Sequence, residues 1–185
     1  MRRRESLHQA FWRSPNPPGA EYCSVRREAG GWALRGTVVR QFKEGSGTIA
    51  YVVRTDGGWR TRRVWIEQLL DGAHGEVEIE VSRGAWFVGR EERRELHGCV
   101  DVDLEATPAT NILPLKRIGM KVGSKVDVKV AWVRFPSLKV LPLRQSYERL
   151  GKARYVYRSG PGFEAELDVD GFGLVRRYGQ YWTAV

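Results

Sequence analysis

The chain has 185 residues, 42% of them hydrophobic and 29% charged, with a formal net charge of +9 and two cysteines. That length allows one domain or two small halves sharing a core, and two cysteines exclude a disulfide framework. No apolar run approaches the ~20 residues of a membrane-spanning helix, and no apolar stretch follows the basic start, so no signal peptide is expected. Apart from Arg2-Arg3-Arg4 the basic residues are dispersed. They read as solubility rather than as a nucleic-acid stripe, so nucleic acid is not an expected partner. Reduced Cys23 and Cys99 in a cytoplasmic protein are the expectation.

Residues 1–19 read as an arm, with Phe11 and Trp12 packing on the body and Ser14–Gly19 as an extended turn. Strands are expected at Glu21–Arg27, Trp32–Phe42, Thr48–Thr55 and Trp59–Glu67, with Asp56-Gly57-Gly58 as a tight turn. Leu69–Gly75 reads as a connector. Glu76–Val81 alternates strictly, with Val77, Ile79 and Val81 on one face and three glutamates on the other. Ala85–Val88 follows, then a charged connector at Glu91–Glu95.

The stretch His97–Ile118 breaks this rhythm. Val100, Val102 and Leu104 alternate with Cys99, Asp101 and Asp103, so one strand face is apolar and the other carries two carboxylates. Thr107-Pro108, Thr110-Asn111 and Pro114 then form a stiff polar loop that cannot continue the strand. Two readings stand: a site at the end of a sheet, or an ordinary strand with a solvated outer face and a braced turn. Leu113–Met120 reads as a short strand or irregular segment.

Beyond it, Lys125–Phe135, Leu138–Tyr147, Ala153–Ser159, Phe163–Asp168, Gly173–Tyr178 and Tyr181–Val185 are expected strands. No long segment keeps a helical apolar period, so the strands should pair mostly antiparallel. Leu34–Trp59 lies over Leu138–Phe163 without a gap, matching Arg40-Gln41 to Arg144-Gln145 and Tyr51-Val52 to Tyr155-Val156. This reads as duplication of a sheet unit. The expectation is an all-β fold with little helix: two sheet repeats, about 20–96 and 97–185, forming one domain. Its mostly antiparallel sheet would be barrel-like or clam-like, around a central cavity.

The chemistry on offer is sparse. There is no CxxC, HExxH, GxSxG, P-loop or GxGxxG, and His8, His74 and His97 stand apart. Asp101/Asp103 and Asp168/Asp170 are each two residues apart. If they converge, they could hold Mg²⁺ or Mn²⁺. Trp59, Trp65, Tyr155 and Tyr157 interleave with Arg54, Arg62 and Arg158. Facing inward they would suit a ligand with an apolar or sugar body and an anionic group; otherwise they form core with arginine stems reaching out.

Phe11–Val25, Tyr51–Val64, Gly98–Ile118, Val130–Leu150 and Tyr155–Tyr178 together resemble the bacterial putative glycolipid-binding family, most specifically through Cys99-x-Asp101-x-Asp103-Leu104 and Thr107-Pro108-x-Thr110-Asn111. The resemblance implies a barrel-like β fold with an open cavity, similar in shape to lipoprotein carriers, and a glycolipid ligand. The DVDL and ELDVDG pieces are also similar to acidic strands of barrel-like nucleotide phosphohydrolases.

The reading is a soluble binding protein, not an enzyme and without a cofactor, for a glycolipid or other amphipathic anionic molecule. Trp59, Trp65, Tyr155 and Tyr157 would pack on its apolar or sugar part, and Arg54, Arg62 and Arg158 would meet its charge. Asp101, Asp103, Thr107, Thr110, Asn111, Gln145 and Tyr147 would line a polar mouth. The alternative is a phosphohydrolase using Mg²⁺ or Mn²⁺ on Asp101, Asp103, Asp168 and Asp170.

Overall fold

The computed structural model describes residues 7–160 and 162–185. Its strands are β1 (Leu7–Pro15), β2 (Pro18–Glu28), β3 (Gly31–Phe42), β4 (Gly45–Asp56), β5 (Thr61–Leu70), β6 (Ala73–Ser82), β7 (Ala85–Val88) and β8 (Glu91–Glu92). They continue with β9 (Asp101–Leu104), β10 (Lys125–Val133), β11 (Val140–Arg149), β12 (Arg154–Ser159), β13 (Phe163–Val169), β14 (Val175–Tyr178) and β15 (Trp182–Ala184). Helix α1 (Ile112–Ile118) lies between β9 and β10.

All fifteen strands join one sheet, in the order β8 to β1 and then β15 to β9. Every pairing is antiparallel except β9 with β10. The expected mostly antiparallel all-β architecture is therefore present. The sheet does not close by a continuous ladder. Its far edge nevertheless curls back onto β5, where Thr61 N–H donates to the Val100 carbonyl at 3.2 Å and Val102 N–H donates to Thr61 Oγ1 at 3.0 Å. A sheet of this length curls because each strand is twisted relative to the next.

Three expectations change. The segment read as an arm is, over residues 7–15, strand β1, paired with β2 along its whole length and with β15 at Trp12 and Arg13. It joins the two halves of the sheet, because Ala10, Trp12 and Ser14 alternate inward. The stretch read as strand or irregular is a helix. Pro114 falls in its first turn, where no N–H is needed, and Gly119 caps its end at φ 61°. The gap-free overlay of the two hairpins does not survive in the pairing. Gln41 faces Ser46 across the first hairpin, but the overlaid Gln145 faces Ser159 across the second instead of Leu150. The second hairpin turns later, because Ser146–Arg149 continue as strand where Phe42 ends β3.

The interior has two apolar clusters. The larger gathers Trp12, Leu34, Val53, Ile66 and Trp86 with Val102, Leu104, Ile112 and Val133. The smaller gathers Leu115, Tyr147, Tyr155, Tyr157, Leu167 and Val175. The segment from Ala106 to Met120 contributes to both. No helix among the described residues is long and apolar enough to cross a membrane.

Two acids are built into this interior. Asp101 is fully buried and bidentate to Arg117 of α1, at 2.6 and 3.0 Å. The solvated-face reading of this strand is thereby excluded. Glu21 of β2 is 1% exposed; its Oε1 accepts bonds from the Tyr51 and Thr107 hydroxyls, while Oε2 has no partner. Tyr51 reaches it by lying across Gly36, the residue opposite it in β3, where a methyl group would overlap the tyrosine ring. Burial pushes the Glu21 carboxyl up to about 7, against the hydrogen bonds from Thr107 and Tyr51 and the charge of Arg40.

Two outcomes follow from these burials. A carboxyl whose folded pKa is raised holds its proton more tightly when folded, so Glu21 makes the protein more stable as pH falls from about 7 toward its unfolded value near 4.5. Urea midpoints should drop between pH 5 and pH 8. Glu21→Gln should flatten that slope and gain up to roughly 3 kcal/mol over the parent at pH 8; parallel slopes would contradict it. Arg117→Met leaves Asp101 buried without its counter-charge and should cost roughly 3–5 kcal/mol, read as a lowered urea midpoint at neutral pH.

Candidate functional site

The polar side chains after β9 are drawn together by hydrogen bonds they cannot make to water. Thr110 Oγ1 donates to Asp103 Oδ1 at 3.2 Å and accepts from Leu104 N–H. Gln145 Nε2 of β11 donates to Asp103 Oδ2. Thr107 Oγ1 donates to Glu21 at 2.6 Å and accepts the N–H of Ala109. Asn111 Oδ1 accepts from the Tyr147 hydroxyl at 2.9 Å, and its Nδ2 donates to the Pro108 carbonyl. The loop is thus tied to β2, β9 and β11, and its exposed-looking composition is interior.

Against this polar wall lies a cavity of about 400 Å³, within the range of small-molecule sites. Asp103, Glu105, Thr107, Asn111 and Arg40 form its polar side. Tyr157, Phe163, Tyr178, Tyr181 and Trp182 form an aromatic side, with Leu104, Trp132 and Leu143 completing it. The rings brace one another: Tyr157 is 6.0 Å from Phe163 and 5.9 Å from Tyr178, and Phe163 is 5.6 Å from Tyr181. Arg40 stacks over Trp182 at 5.4 Å. Burial pushes Asp103 up to about 6, opposed by the bonds from Gln145 and Thr110 and reinforced by the charge of Glu105. Burial also raises the Tyr157 and Tyr178 phenols, so both stay neutral and can donate.

Of the residues singled out from sequence, Asp103, Thr107, Asn111 and Tyr157 line this cavity, and Thr110, Gln145 and Tyr147 hold them in place. The others are elsewhere. Asp101 is turned to Arg117. Trp59 stacks on Trp32 at 4.7 Å, beside Phe172 and Lys116, in the larger cluster. Tyr155 lies under the Arg149 guanidinium in the smaller one. Arg54, Arg62, Trp65 and Arg158 are on the outside: inward places on β4 and β5 fall to Tyr51, Val53, Val64 and Ile66, the register shift between Thr61 and Arg63 turns Arg62 out, and Arg158 of β12 is held by acids. There Arg54 pairs with Glu28, Arg62 with Asp56, and Arg158 with Glu148 and Glu164, while Trp65 Nε1 donates to Glu76.

The two acid pairs do not converge. Asp168 pairs with Arg177 at 2.8 Å, and Asp170 Oδ1 accepts the N–H groups of Phe172, Gly173 and Leu174. Among the described residues no group of three or more His, Cys, Asp or Glu side chains is placed to hold a metal ion. Cys23 and Cys99 are free and buried.

Sequence reasoning missed Glu21, Arg40, Phe163, Tyr178, Tyr181 and Trp182. Glu21 carried a signal: within the expected strand Glu21–Arg27 it shares its parity with Cys23 and Val25, a carboxylate on an apolar face. The aromatic residues carried none, since they lie on or beside β13 to β15, whose placement follows from the pairing of β15 with β1.

Two solved structures share this architecture. A DUF1089 family protein from Pseudomonas aeruginosa superposes with a TM-score of 0.81 at 24% identity, over 89% of this chain and 92% of that one. A beta-barrel-like protein of domain of unknown function DUF1849 from Brucella abortus superposes with a TM-score of 0.54 at 11% identity, over 98% of this chain and 95% of that one. No curated protein matches the sequence. The family model described as "Putative glycolipid-binding" matches residues 9–184, and the chain belongs to that family.

Proposed function

We propose that the protein binds the sugar-bearing head of a glycolipid, or of a similar amphipathic molecule, in the cavity beside β9. The observation that carries this reading is a cavity of about 400 Å³ whose lining combines aromatic rings with carboxylate and amide groups. Sugar rings present C–H faces that pack on tyrosine and tryptophan, and hydroxyls that donate to carboxylates. Asp103 and Asn111 offer acceptors already positioned by Gln145 and Tyr147, so little order is lost on binding. The family match supports a binding role of this kind.

The charge of the cavity refines the ligand. Among the described residues Arg40 is the one cation lining it, beside the carboxylates of Asp103 and Glu105. The arginines expected to meet an anion are engaged with acids on the outer face. A neutral polyhydroxylated head suits this balance better than a strongly anionic one. Cys23 and Cys99 as free thiols fit a reducing compartment, and we retain the cytoplasm as the proposed location.

Octyl glucoside below its micelle concentration is a suitable probe, followed by calorimetry and by tryptophan emission, since Trp132 and Trp182 line the cavity. Tyr181→Ala and Asp103→Asn should each weaken binding by about tenfold or more, equivalent to about 1.4 kcal/mol. Arg62→Ala and Trp65→Ala, on the outer face, should leave it unchanged. Loss in the outer variants with retention in the cavity variants would sink the assignment.

A further inference from the structure

The outer face of β1–β3 is not a uniformly solvated surface. Strand alternation and register set Phe11 opposite Tyr22, and Ala20 opposite Val39. Phe11 is 49% exposed, Tyr22 44% and Val39 55%. Arg13 and Arg26 stand exposed on the same face. Among the described outward positions of these strands the acid is Glu28, which is paired with Arg35 at 2.8 Å and Arg54 at 3.2 Å. Further round the sheet the sign reverses: β6 presents Glu76, Glu78 and Glu80 outward. The apolar and basic residues are thus interleaved on one side of the molecule, and the glutamates of β6, of which Glu80 pairs with Arg63 at 3.3 Å, lie on another.

We propose that this face docks on an anionic lipid bilayer, with Phe11, Tyr22 and Val39 entering the headgroup boundary and Arg13 and Arg26 meeting lipid phosphates. The argument is charge complementarity combined with apolar insertion. Basic residues near a membrane surface are attracted to anionic lipid within a screening length, and exposed aromatic side chains favour the interface. Neither signal alone anchors a protein firmly; together they give reversible attachment. A protein–protein core would exclude charge rather than alternate it with apolar side chains. The inference stands on the outer face and not on the cavity, so either can fail without the other.

The test is flotation with vesicles of equimolar phosphatidylglycerol and phosphatidylcholine, beside vesicles of phosphatidylcholine alone. The protein should float with the anionic vesicles, and high salt should release it. Phe11→Ser with Tyr22→Ser should lower the bound fraction by about tenfold or more, with the thermal melt and octyl glucoside binding unchanged. Arg13→Glu should weaken attachment, while Arg90→Glu, the same charge change in the exposed turn between β7 and β8, should not. Equal losses for Arg13→Glu and Arg90→Glu would mean attraction by net charge alone and overturn the face. No flotation, or salt-sensitive self-association in its place, would overturn it as well, the latter by assigning this face to β6 of a second copy.

Discussion

The cavity depends on a requirement placed on one buried loop. Between β9 and α1 the chain carries polar side chains through the interior, and each must find a partner there. The partners are spread over distant elements: Glu21 on β2 for Thr107, Gln145 on β11 for Asp103, Tyr147 on β11 for Asn111. Meeting those bonds fixes the loop against both halves of the sheet. It also leaves Asp103 and Asn111 facing open space instead of packed core. The bond to Glu21 spans 86 residues of sequence, so the loop serves as the internal strut of a sheet that never closes on itself.

That strut carries an electrostatic cost. Glu21 has an oxygen with no partner, and its raised pKa records the cost of keeping it dry. Asp103 is raised for the same reason, with Glu105 adding to it. Burial raises Asp101 as well, two residues away, but there a cation opposes it. Its Arg117 partner answers its charge within the fold, and it takes no part in the cavity. Adjacent carboxylates on one strand thus have separate duties, one holding α1 and one lining the site.

The outside of the sheet is organised by the same alternation. Arg54, Arg62, Arg63 and Arg158 are held on the outside by neighbouring acids. Exposed ion pairs of this kind add little stability. On the outer side of β1–β3, by contrast, Arg13 and Arg26 stand exposed beside Phe11 and Tyr22.

The sequence determined the strands. Two-residue alternation and Gly or Pro turns placed β2 to β7 and β10 to β15 within a few residues, because each strand needs only its own pattern to bury one face. It also marked the Asp103–Asn111 run, since polar residues there interrupt an otherwise regular strand. Only the tertiary structure decided which face looks inward. Periodicity carries no sign: Arg54 and Tyr51 belong to the same alternating strand, and burial of Tyr51 against Gly36 and Glu21 sends Arg54 outside. Helix α1 was legible in Pro114 and Gly119, but its few residues gave too short a period to outweigh the strand pattern around it. The aromatic wall, Glu21 and Arg40 come together through strand neighbours far apart in sequence. Such non-local pairing is set by how the whole sheet twists and curls, which no local pattern encodes.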